Sequence, residues 1–315
     1  MKKKQGVLVL ILTVVLIGLL AFTTAVGFGP TGTGSAKNIK TGLDLSGGVS
    51  ITYQAKGDNP SQEDMDDTIY KLQKRVEDYS EEAQVYQIIK DKNLCDDIEY
   101  INPQNGYKLT RFLNNARVCD PHNSDDITKC MKKLRQFHEM KLKVDHRFDL
   151  FWQIEFYESL WNGSTSVYRD YKTTKEHVLS LRGYIEKHKT KEVLTHIDAV
   201  PDNFLFTTSP DGSEDIRLID WEYAGMQDPH LDIAMFCIYS LYNREQVDHL
   251  ISLYFPEGCP ETTRIKIYCY IAVAGLLWSN WCEYKRHLGV DFGEYSLRQY
   301  RYAKEYYQIV KSELE

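Results

Sequence analysis

Leu194-Thr-His-Ile-Asp-Ala-Val-Pro-Asp-Asn-Phe-Leu-Phe206 and, after a polar turn, Ile216-Arg-Leu-Ile-Asp-Trp-Glu-Tyr223 form the stretch that decides the fold of this chain. Its two apolar runs, residues 204–206 and 216–219, flank a segment that contains Asp211-Gly212. An Asp-Gly pair between apolar runs is typical of a hairpin turn. The sequence therefore predicts a loop, a strand, a turn and a second strand.

The polar residues of this stretch have the types and spacing that phosphoryl transfer needs. His196, Asp198 and Asn203 lie on the predicted loop, and Asp220 follows the second strand. Phosphoryl transfer requires a base beside the acceptor hydroxyl and oxygen ligands for Mg²⁺. We therefore predict Asp198 and His196 as catalytic residues and Asn203 and Asp220 as metal ligands. Each residue taken alone is equally compatible with an ordinary turn or strand end.

The sequence of this region resembles that of the choline/ethanolamine kinase family, in particular the bacterial choline kinases of the LicA type. Ile219-Asp-Trp-Glu-Tyr223 is similar to the family's Ile-Asp-Phe/Trp-Glu-Tyr, and Asp228-Pro-His-Leu-Asp-Ile-Ala234 is similar to its Asp-Pro-x-x-Asp-Ile/Leu-Ala. The resemblance runs from about Ile88 to the C-terminus. It implies an α+β, protein-kinase-like fold of the aminoglycoside phosphotransferase and choline kinase type. It also implies an ATP:choline phosphotransferase that uses ATP and Mg²⁺.

The resemblance further implies an aromatic site for the acceptor. Choline is a quaternary ammonium ion, which aromatic faces bind through cation–π contacts. The residues that the family assigns to this cage are Trp278, Trp281, Tyr302 and Tyr223, with Tyr300 or Tyr306 as substitutes for Tyr302. From spacing alone, the same aromatic residues could simply pack helices together.

Other roles follow from the same resemblance. Asp232 is implied to brace the catalytic loop through hydrogen bonds. The expected neighbours of the nucleotide are Phe112, Leu205 and Ile219, although core packing is an equal alternative for Phe112 alone.

The N-terminal region has a different character. Three lysines precede Val7–Phe28, a stretch without charged residues that is long enough to cross a bilayer. The lysines place the N-terminus in the cytoplasm and the residues after the span outside it. A cleaved signal peptide is the alternative. A Gly-rich linker follows as far as residue 36.

Gly42-Leu-Asp-Leu-Ser-Gly-Gly48, together with this span and linker, resembles the start of SecD, a subunit of the bacterial protein-export apparatus. The resemblance implies a possible contact with the Sec translocon. We divide the chain into residues 1–36 (basic end, transmembrane helix and linker), 37–87 (SecD-like strand–helix segment), 88–118 (remnant of a kinase small lobe and hinge) and 119–315 (kinase-like catalytic large lobe).

This arrangement conflicts with an intact kinase. Upstream of Ile88 the sequence contains neither Gly-x-Gly-x-x-Gly nor a Val-Ala-x-Lys strand, which hold ATP in kinases. We therefore expect ATP turnover to be impaired or absent. The alternatives are a truncated SecD-like membrane protein of the export machinery and a non-functional chimera of two genes.

Location is in conflict as well. The predicted anchor puts the chain in the cell membrane with the kinase-like part outside the cytoplasm. The family implies a cytosolic enzyme, and the seven scattered cysteines are typical of reduced, cytosolic thiols. The net charge of −7 gives no reason to expect a nucleic-acid partner, which normally requires a basic face.

Overall fold

The computed structural model of the protein describes residues 80–104, 106–113, 115–208 and 214–315. All of them belong to one structural unit, Glu63–Glu315. The candidate membrane span and the SecD-like motif lie outside the described residues, so both stay predictions. Within the described ranges, no helix has the length and hydropathy that are needed to cross a bilayer.

The first described elements are a helix and a hairpin. Helix α1 is described over residues 80–89 and buries Val85, Tyr86 and Ile89 in the core. Strands β1 (Ile98–Ile101) and β2 (Lys108–Thr110) pair in antiparallel fashion. Asn105-Gly106 in the sequence predicts a hairpin turn between two short apolar runs, and the pairing of β1 with β2 confirms this hairpin.

The hairpin predicted from the opening stretch is also confirmed. Strand β3 (Arg117–Val118) pairs with β5 (Phe204–Thr208), which pairs with β6 (Glu214–Leu218). Phe204 lies opposite Leu218 in this register, and both side chains are fully buried. Alternate residues along β5 and β6 thus face the core, as the period of a strand requires. A separate pair joins β4 (Val193–Thr195) to β7 (Gly225–Gln227).

Helix α2 (Ser124–Glu139) shows how local sequence fixes an element. The Asn123 side chain accepts hydrogen bonds from the backbone N–H groups of Asp125 and Asp126 and caps the helix at its start. The sequence Asn123-Ser-Asp-Asp126 predicts this capped start and a helix that runs to about Lys143. The helix instead ends at Glu139, because Lys141 has a φ of +51°. Such a left-handed conformation cannot continue an α-helix.

The remaining helices build the α-helical large lobe that the family resemblance implies. Their bounds are α3 (Leu150–Ser159), α4 (Tyr171–Ser180), α5 (Arg182–Lys187), α6 (His230–Tyr239), α7 (Arg244–Tyr254), α8 (Glu261–His287) and α9 (Glu294–Leu314). Every residue from Ile265 to Leu277 on α8 is buried. A helix that is buried on all sides is a core helix. The helices that pack against α8 are α3, α4, α5, α6 and α9.

One buried ion pair connects α8 to the segment that leads into α6. Lys266 and Asp228 both have fully buried side chains, and Lys266 Nζ donates to Asp228 Oδ2 at 2.6 Å. The same ammonium group donates to Thr190 Oγ1 at 2.8 Å. These bonds compensate the cost of burying two charges, and they fix the start of α6 against the core.

Helices α8 and α9 approach most closely at Gly275. A Cβ atom at this position would lie 2.7 Å from the Gln299 carbonyl oxygen and 2.8 Å from Tyr302 Cβ. We expect Gly275→Ala to lower the free energy of unfolding by about 1–3 kcal/mol, because the added methyl group must push two helices apart. Urea denaturation of the full chain measures this change.

The matched control for this substitution is Gly183→Ala on α5. A Cβ atom at Gly183 would meet no atom within 4 Å. Alanine there should raise the stability by about 0.5–1 kcal/mol, since it reduces the backbone entropy of the unfolded chain. Equal effects of the two substitutions would contradict the close packing of α8 and α9.

Candidate active site

The loop between β4 and β5 is held by one buried carboxylate. Asp232 accepts hydrogen bonds from the backbone N–H of His196 at 2.9 Å and of Ile197 at 2.7 Å. Ile197 has a φ of +67°, a conformation that a β-branched residue adopts only when its surroundings enforce it. On its other side, Asp232 lies 2.9 Å from His138 Nε2. Asp232 therefore fixes the backbone that leads directly into Asp198.

His196 lies behind the loop. Its side chain is completely buried, its Nε2 lies 2.9 Å from the Ile219 carbonyl oxygen, and its ring packs 4.4 Å from that of Trp221. Burial lowers the pKa of the imidazole, so the ring stays neutral at pH 7 and donates from Nε2. From the sequence we group His196 with Asp198 as catalytic, but the structure gives its ring no access to a substrate. His196 instead ties the loop to the residue before Asp220.

Asp198 and Asn203 are in direct contact. Asn203 Nδ2 donates to Asp198 Oδ2 at 3.0 Å and to the Asp198 carbonyl oxygen at 2.9 Å. Burial raises the pKa of the Asp198 carboxyl to about 7, and the negative charge of Asp220 adds to this shift. A carboxyl group with this pKa can accept a proton near neutral pH.

The arrangement of Asn203 and Asp220 suits a divalent cation. Because the Asn203 amide nitrogen is used by Asp198, its Oδ1 is the atom that remains for a cation. Asp220 is exposed at the end of β6, and the Ile219 N–H donates to the Asn203 carbonyl oxygen at 3.0 Å, which brings the two residues to the same edge. Within the described part of the chain, no cluster of three or more acidic, His or Cys residues could hold a metal. A site with two protein oxygens fits Mg²⁺, which keeps water and phosphate oxygens as its other ligands.

A cavity of about 420 Å³ opens beside Asp198. Its lining combines two carboxylates, Asp198 and Glu222, with aromatic side chains from four segments of the chain. The aromatic residues are Tyr223, Tyr239, Trp278, Trp281, Phe292 and Tyr295.

The aromatic rings support one another edge to face. The Trp278 ring lies 5.8 Å from that of Tyr223 and 5.7 Å from that of Trp281, at interplanar angles of 85° and 81°. Such geometry is favourable for aromatic pairs and holds the ring faces in fixed directions. Three of the four residues predicted for the cage, Tyr223, Trp278 and Trp281, thus line a single cavity.

The fourth predicted residue lies elsewhere. Tyr302 is buried, and its hydroxyl donates to the Tyr242 carbonyl oxygen at 2.7 Å, away from the cavity lining. Neither of its substitutes lines the cavity, since Tyr300 stacks on Tyr168 and Tyr306 packs against Tyr268. The tyrosine of α9 that does line it is Tyr295, which lies about 10 Å nearer the start of the helix.

Tyr239, Phe292 and Tyr295 line the cavity but are not predicted from the sequence as acceptor-binding residues. Tyr239 lies on α6 and Phe292 lies between α8 and α9, so only the packing of these helices brings them together. The dense aromatic composition near the C-terminus was the one available signal, and it does not distinguish one tyrosine from the next.

The three residues expected near the nucleotide lie on the β-rich side of the site. Phe112 follows β2 and is 82% exposed, while Leu205 and Ile219 are half-buried. Leu205 pairs with Val118 of β3. Val118 is the last residue of the segment 88–118, which we predict as the small-lobe remnant and hinge. The contact of these side chains with a nucleotide stays a prediction.

Comparison with known proteins identifies the family. The model of the choline/ethanolamine kinase family matches residues 68–254. The match begins upstream of Ile88 and therefore overlaps part of the segment that we interpret as SecD-like.

One sequence relative and two solved structures agree with this match. Protein LicA of Haemophilus influenzae is 27% identical over 220 residues, which cover 63% of this chain and 76% of the relative. The crystal structure of the choline kinase LicA from Streptococcus pneumoniae has a TM-score of 0.63 and 27% identity, and the alignment covers 73% of this chain and 80% of that one. A LicA structure in complex with AMP has a TM-score of 0.62 and 26% identity, with 74% and 79% covered. The protein-kinase-like fold predicted for the C-terminal part is confirmed.

The raised pKa of Asp198 predicts a specific dependence of stability on pH. Because the pKa of about 7 in the folded chain exceeds the ordinary 3.8, ionisation of Asp198 destabilises the fold as the pH rises from about 4 through 7. We expect Asp198→Asn to remove this loss, which amounts to up to about 3 kcal/mol. Urea denaturation of the metal-free full chain at pH 4 and pH 8 measures the difference. If the difference in unfolding free energy between the wild-type chain and Asp198→Asn is the same at pH 4 and pH 8, the raised pKa of Asp198 is contradicted.

Proposed function

The chain belongs to the choline/ethanolamine kinase family, and we propose that it transfers the γ-phosphoryl group of ATP to the hydroxyl of choline or a related amino alcohol. The observation that carries this proposal is the aromatic cavity, which has the Asp198 carboxylate in its lining. A cation held by the rings would present its hydroxyl to the Asp198 carboxyl, whose pKa of about 7 is near neutrality.

The proposed reaction assigns the proton to Asp198. The acceptor oxygen attacks the γ-phosphorus, a new O–P bond forms, and the bond to the bridging oxygen of ADP breaks. Asp198 orients the hydroxyl and accepts its proton. Asn203 holds the carboxylate through its amide group, so Asp198 has one orientation toward the cavity. Asp232 and His196 position the loop and do not contact the substrate.

The proposed metal ligands are Asn203 and Asp220. When Mg²⁺ is bound, it neutralises charge on the ATP phosphates and aligns them for transfer. The carboxylate of Asp220 lies at the end of β6, beside the strands that carry Leu205 and Val118. The proposed metal ion would then lie between the acceptor in the aromatic cavity and the nucleotide. The AMP complex of a LicA relative supports a nucleotide as the second substrate.

The proposed acceptor is a cationic alcohol. A quaternary ammonium ion offers no N–H donors, so its recognition depends on ring faces and on negative charge. The cavity supplies both, since its six aromatic side chains accompany the carboxyl groups of Asp198 and Glu222. Ethanolamine could use the same carboxylates as hydrogen-bond acceptors.

The proposal includes slow turnover. The sequence before Ile88 contains neither the glycine-rich loop nor the strand lysine of kinases, and these parts position the phosphates. Removal of one preorganised donor from a charged transition state typically costs about 3 kcal/mol. Attachment to a membrane through Val7–Phe28 and a contact with the Sec translocon stay predictions from the sequence.

The first test is an assay for phosphocholine with the purified full chain, ATP and Mg²⁺. We expect product at a low rate and none above background for Asp198→Ala, because the variant lacks the base. The variant Lys187→Ala changes an exposed residue at the end of α5, outside the cavity lining, and serves as a control that keeps the activity. Turnover that survives Asp198→Ala would refute the role of Asp198, and a wild-type chain without any transfer would refute the proposed activity.

The second test separates the cavity residues from the residue expected from the sequence. Tyr295→Leu keeps an apolar side chain but removes a ring face, so we expect the Kd for choline to rise about 3–10-fold. Tyr302→Phe removes only the hydroxyl that donates to the Tyr242 carbonyl oxygen and should leave this Kd unchanged. Tryptophan fluorescence follows choline binding, because Trp278 and Trp281 line the cavity. The reverse pattern would place the ammonium group beside Tyr302 instead.

A further inference from the structure

A second polar cluster lies among residues that do not line the aromatic cavity. It joins α1 to β2. Lys108 Nζ donates to Glu82 Oε1 at 2.6 Å and to the Tyr86 hydroxyl at 3.1 Å. The ammonium group also lies 4.8 Å from the centre of the Tyr86 ring. The Lys108 side chain is 25% exposed and that of Glu82 is 11% exposed, so the pair is largely but not completely withdrawn from water.

Hydrogen bonds connect the segment that follows α1 to the end of β6, which leads into Asp220. The segment that follows α1 runs beside β6, where the Leu218 N–H donates to the Leu94 carbonyl oxygen at 2.7 Å. Arg217 donates to the carbonyl oxygen of Cys95 at 3.1 Å. These bonds are made by the last residues of β6, immediately before Ile219 and Asp220.

The electrostatics of Tyr86 agree with this geometry. Burial raises the pKa of the Tyr86 hydroxyl, and the negative charges of Asp96, Glu82 and Asp220 contribute to the shift.

Lys108 retains a donor for a further ligand. A lysine ammonium group has three N–H donors. Among the described residues, Glu82 and Tyr86 are the hydrogen-bond acceptors of Lys108 Nζ. Within the part of the chain that the structure describes, the third N–H has no acceptor, and the ammonium group is partly exposed.

We propose that Lys108, oriented by Glu82 and Tyr86, binds a phosphate oxygen of ATP in this chain. The proposal rests on the proposed phosphotransferase function. In protein kinases, a strand lysine contacts the phosphates and pairs with a helix glutamate. That lysine precedes its helix in the chain, whereas Lys108 follows α1. Lys108 would therefore supply from β2 the charge that the sequence before Ile88 does not provide in a Val-Ala-x-Lys strand.

A structural tether would give a different pattern of effects. If Lys108 only attached α1 to β2, its loss would weaken the binding of adenosine and ATP alike. If it binds phosphate, its loss weakens the binding of ATP and spares adenosine, which has no phosphate.

The experiment measures the Kd of the full chain for ATP with Mg²⁺ and for adenosine by isothermal titration calorimetry. We expect Lys108→Met to raise the Kd for ATP about 10–100-fold, the loss typical of a hydrogen bond to a charged group, and to leave the Kd for adenosine unchanged. Lys108→Arg keeps the positive charge and should restore most of the affinity for ATP. Melting temperatures of all variants show whether each one is folded.

The matched control is Lys133→Met. Lys133 is another partly buried lysine, which donates to the Asn93 carbonyl oxygen and pairs with Asp215. Its loss should change neither Kd. Two results would overturn the role of Lys108 but not the proposed function. Either Lys108→Met binds ATP with wild-type affinity, or its affinities for ATP and for adenosine fall equally. A wild-type chain that binds neither ligand would overturn the proposed function, and the role of Lys108 with it.

Discussion

The site depends on the buried carboxylate of Asp232. This group accepts the N–H groups of two consecutive loop residues and lies against His138, whose other ring nitrogen is 2.8 Å from the Tyr254 hydroxyl. A buried charge is tolerated only when its oxygen atoms are paired in this way. In return, the carboxylate holds Ile197 at a positive φ, and this conformation turns the chain so that Asp198 faces the cavity. The loop that carries Asp198, the proposed base, is therefore positioned by α2 and α6 rather than by its own sequence.

The same packing produces the electrostatic character of the site. Burial and the nearby charge of Asp220 raise the pKa of Asp198, while burial lowers that of His196. Asp198 can therefore accept a proton near neutral pH, whereas His196 stays neutral and supports the loop. Divalent metal at Asp220 and Asn203 would relieve the repulsion between the two aspartates, so metal binding and ionisation of Asp198 should favour each other. The hairpin of β5 and β6 makes this coupling possible because it brings the ends of both strands to one edge.

Local pattern was enough to predict the features that depend on neighbouring residues. The β5–β6 hairpin, the capped start of α2 and the position of Asp198, Asn203 and Asp220 at one edge follow from spacing and turn chemistry. Features that depend on the packing of distant elements were not predictable. Tyr239 and Tyr295 reach the cavity only because α6 and α9 pack beside α8. Tyr302 has the same residue type but lies two helical turns away from Tyr295. The burial of His196 depends on its contacts with Trp221 and Ile219. The pairing of Lys108 with Glu82 depends on the packing of β2 against α1.

The boundary of the kinase-like part follows from the core. A boundary at Ile88 would assign Val85 and Tyr86 to a foreign segment, yet both are buried in the same core as the catalytic loop. Glu82 lies on the same helix and pairs with Lys108, and the family match reaches back to residue 68. Helix α1 is thus an integral part of the kinase-like unit. The resemblance to SecD rests on the motif at residues 42–48, which lies upstream of this helix and of the family match. The SecD-like assignment of residues 37–87 stays a prediction, and the family match overlaps its last part, residues 68–87.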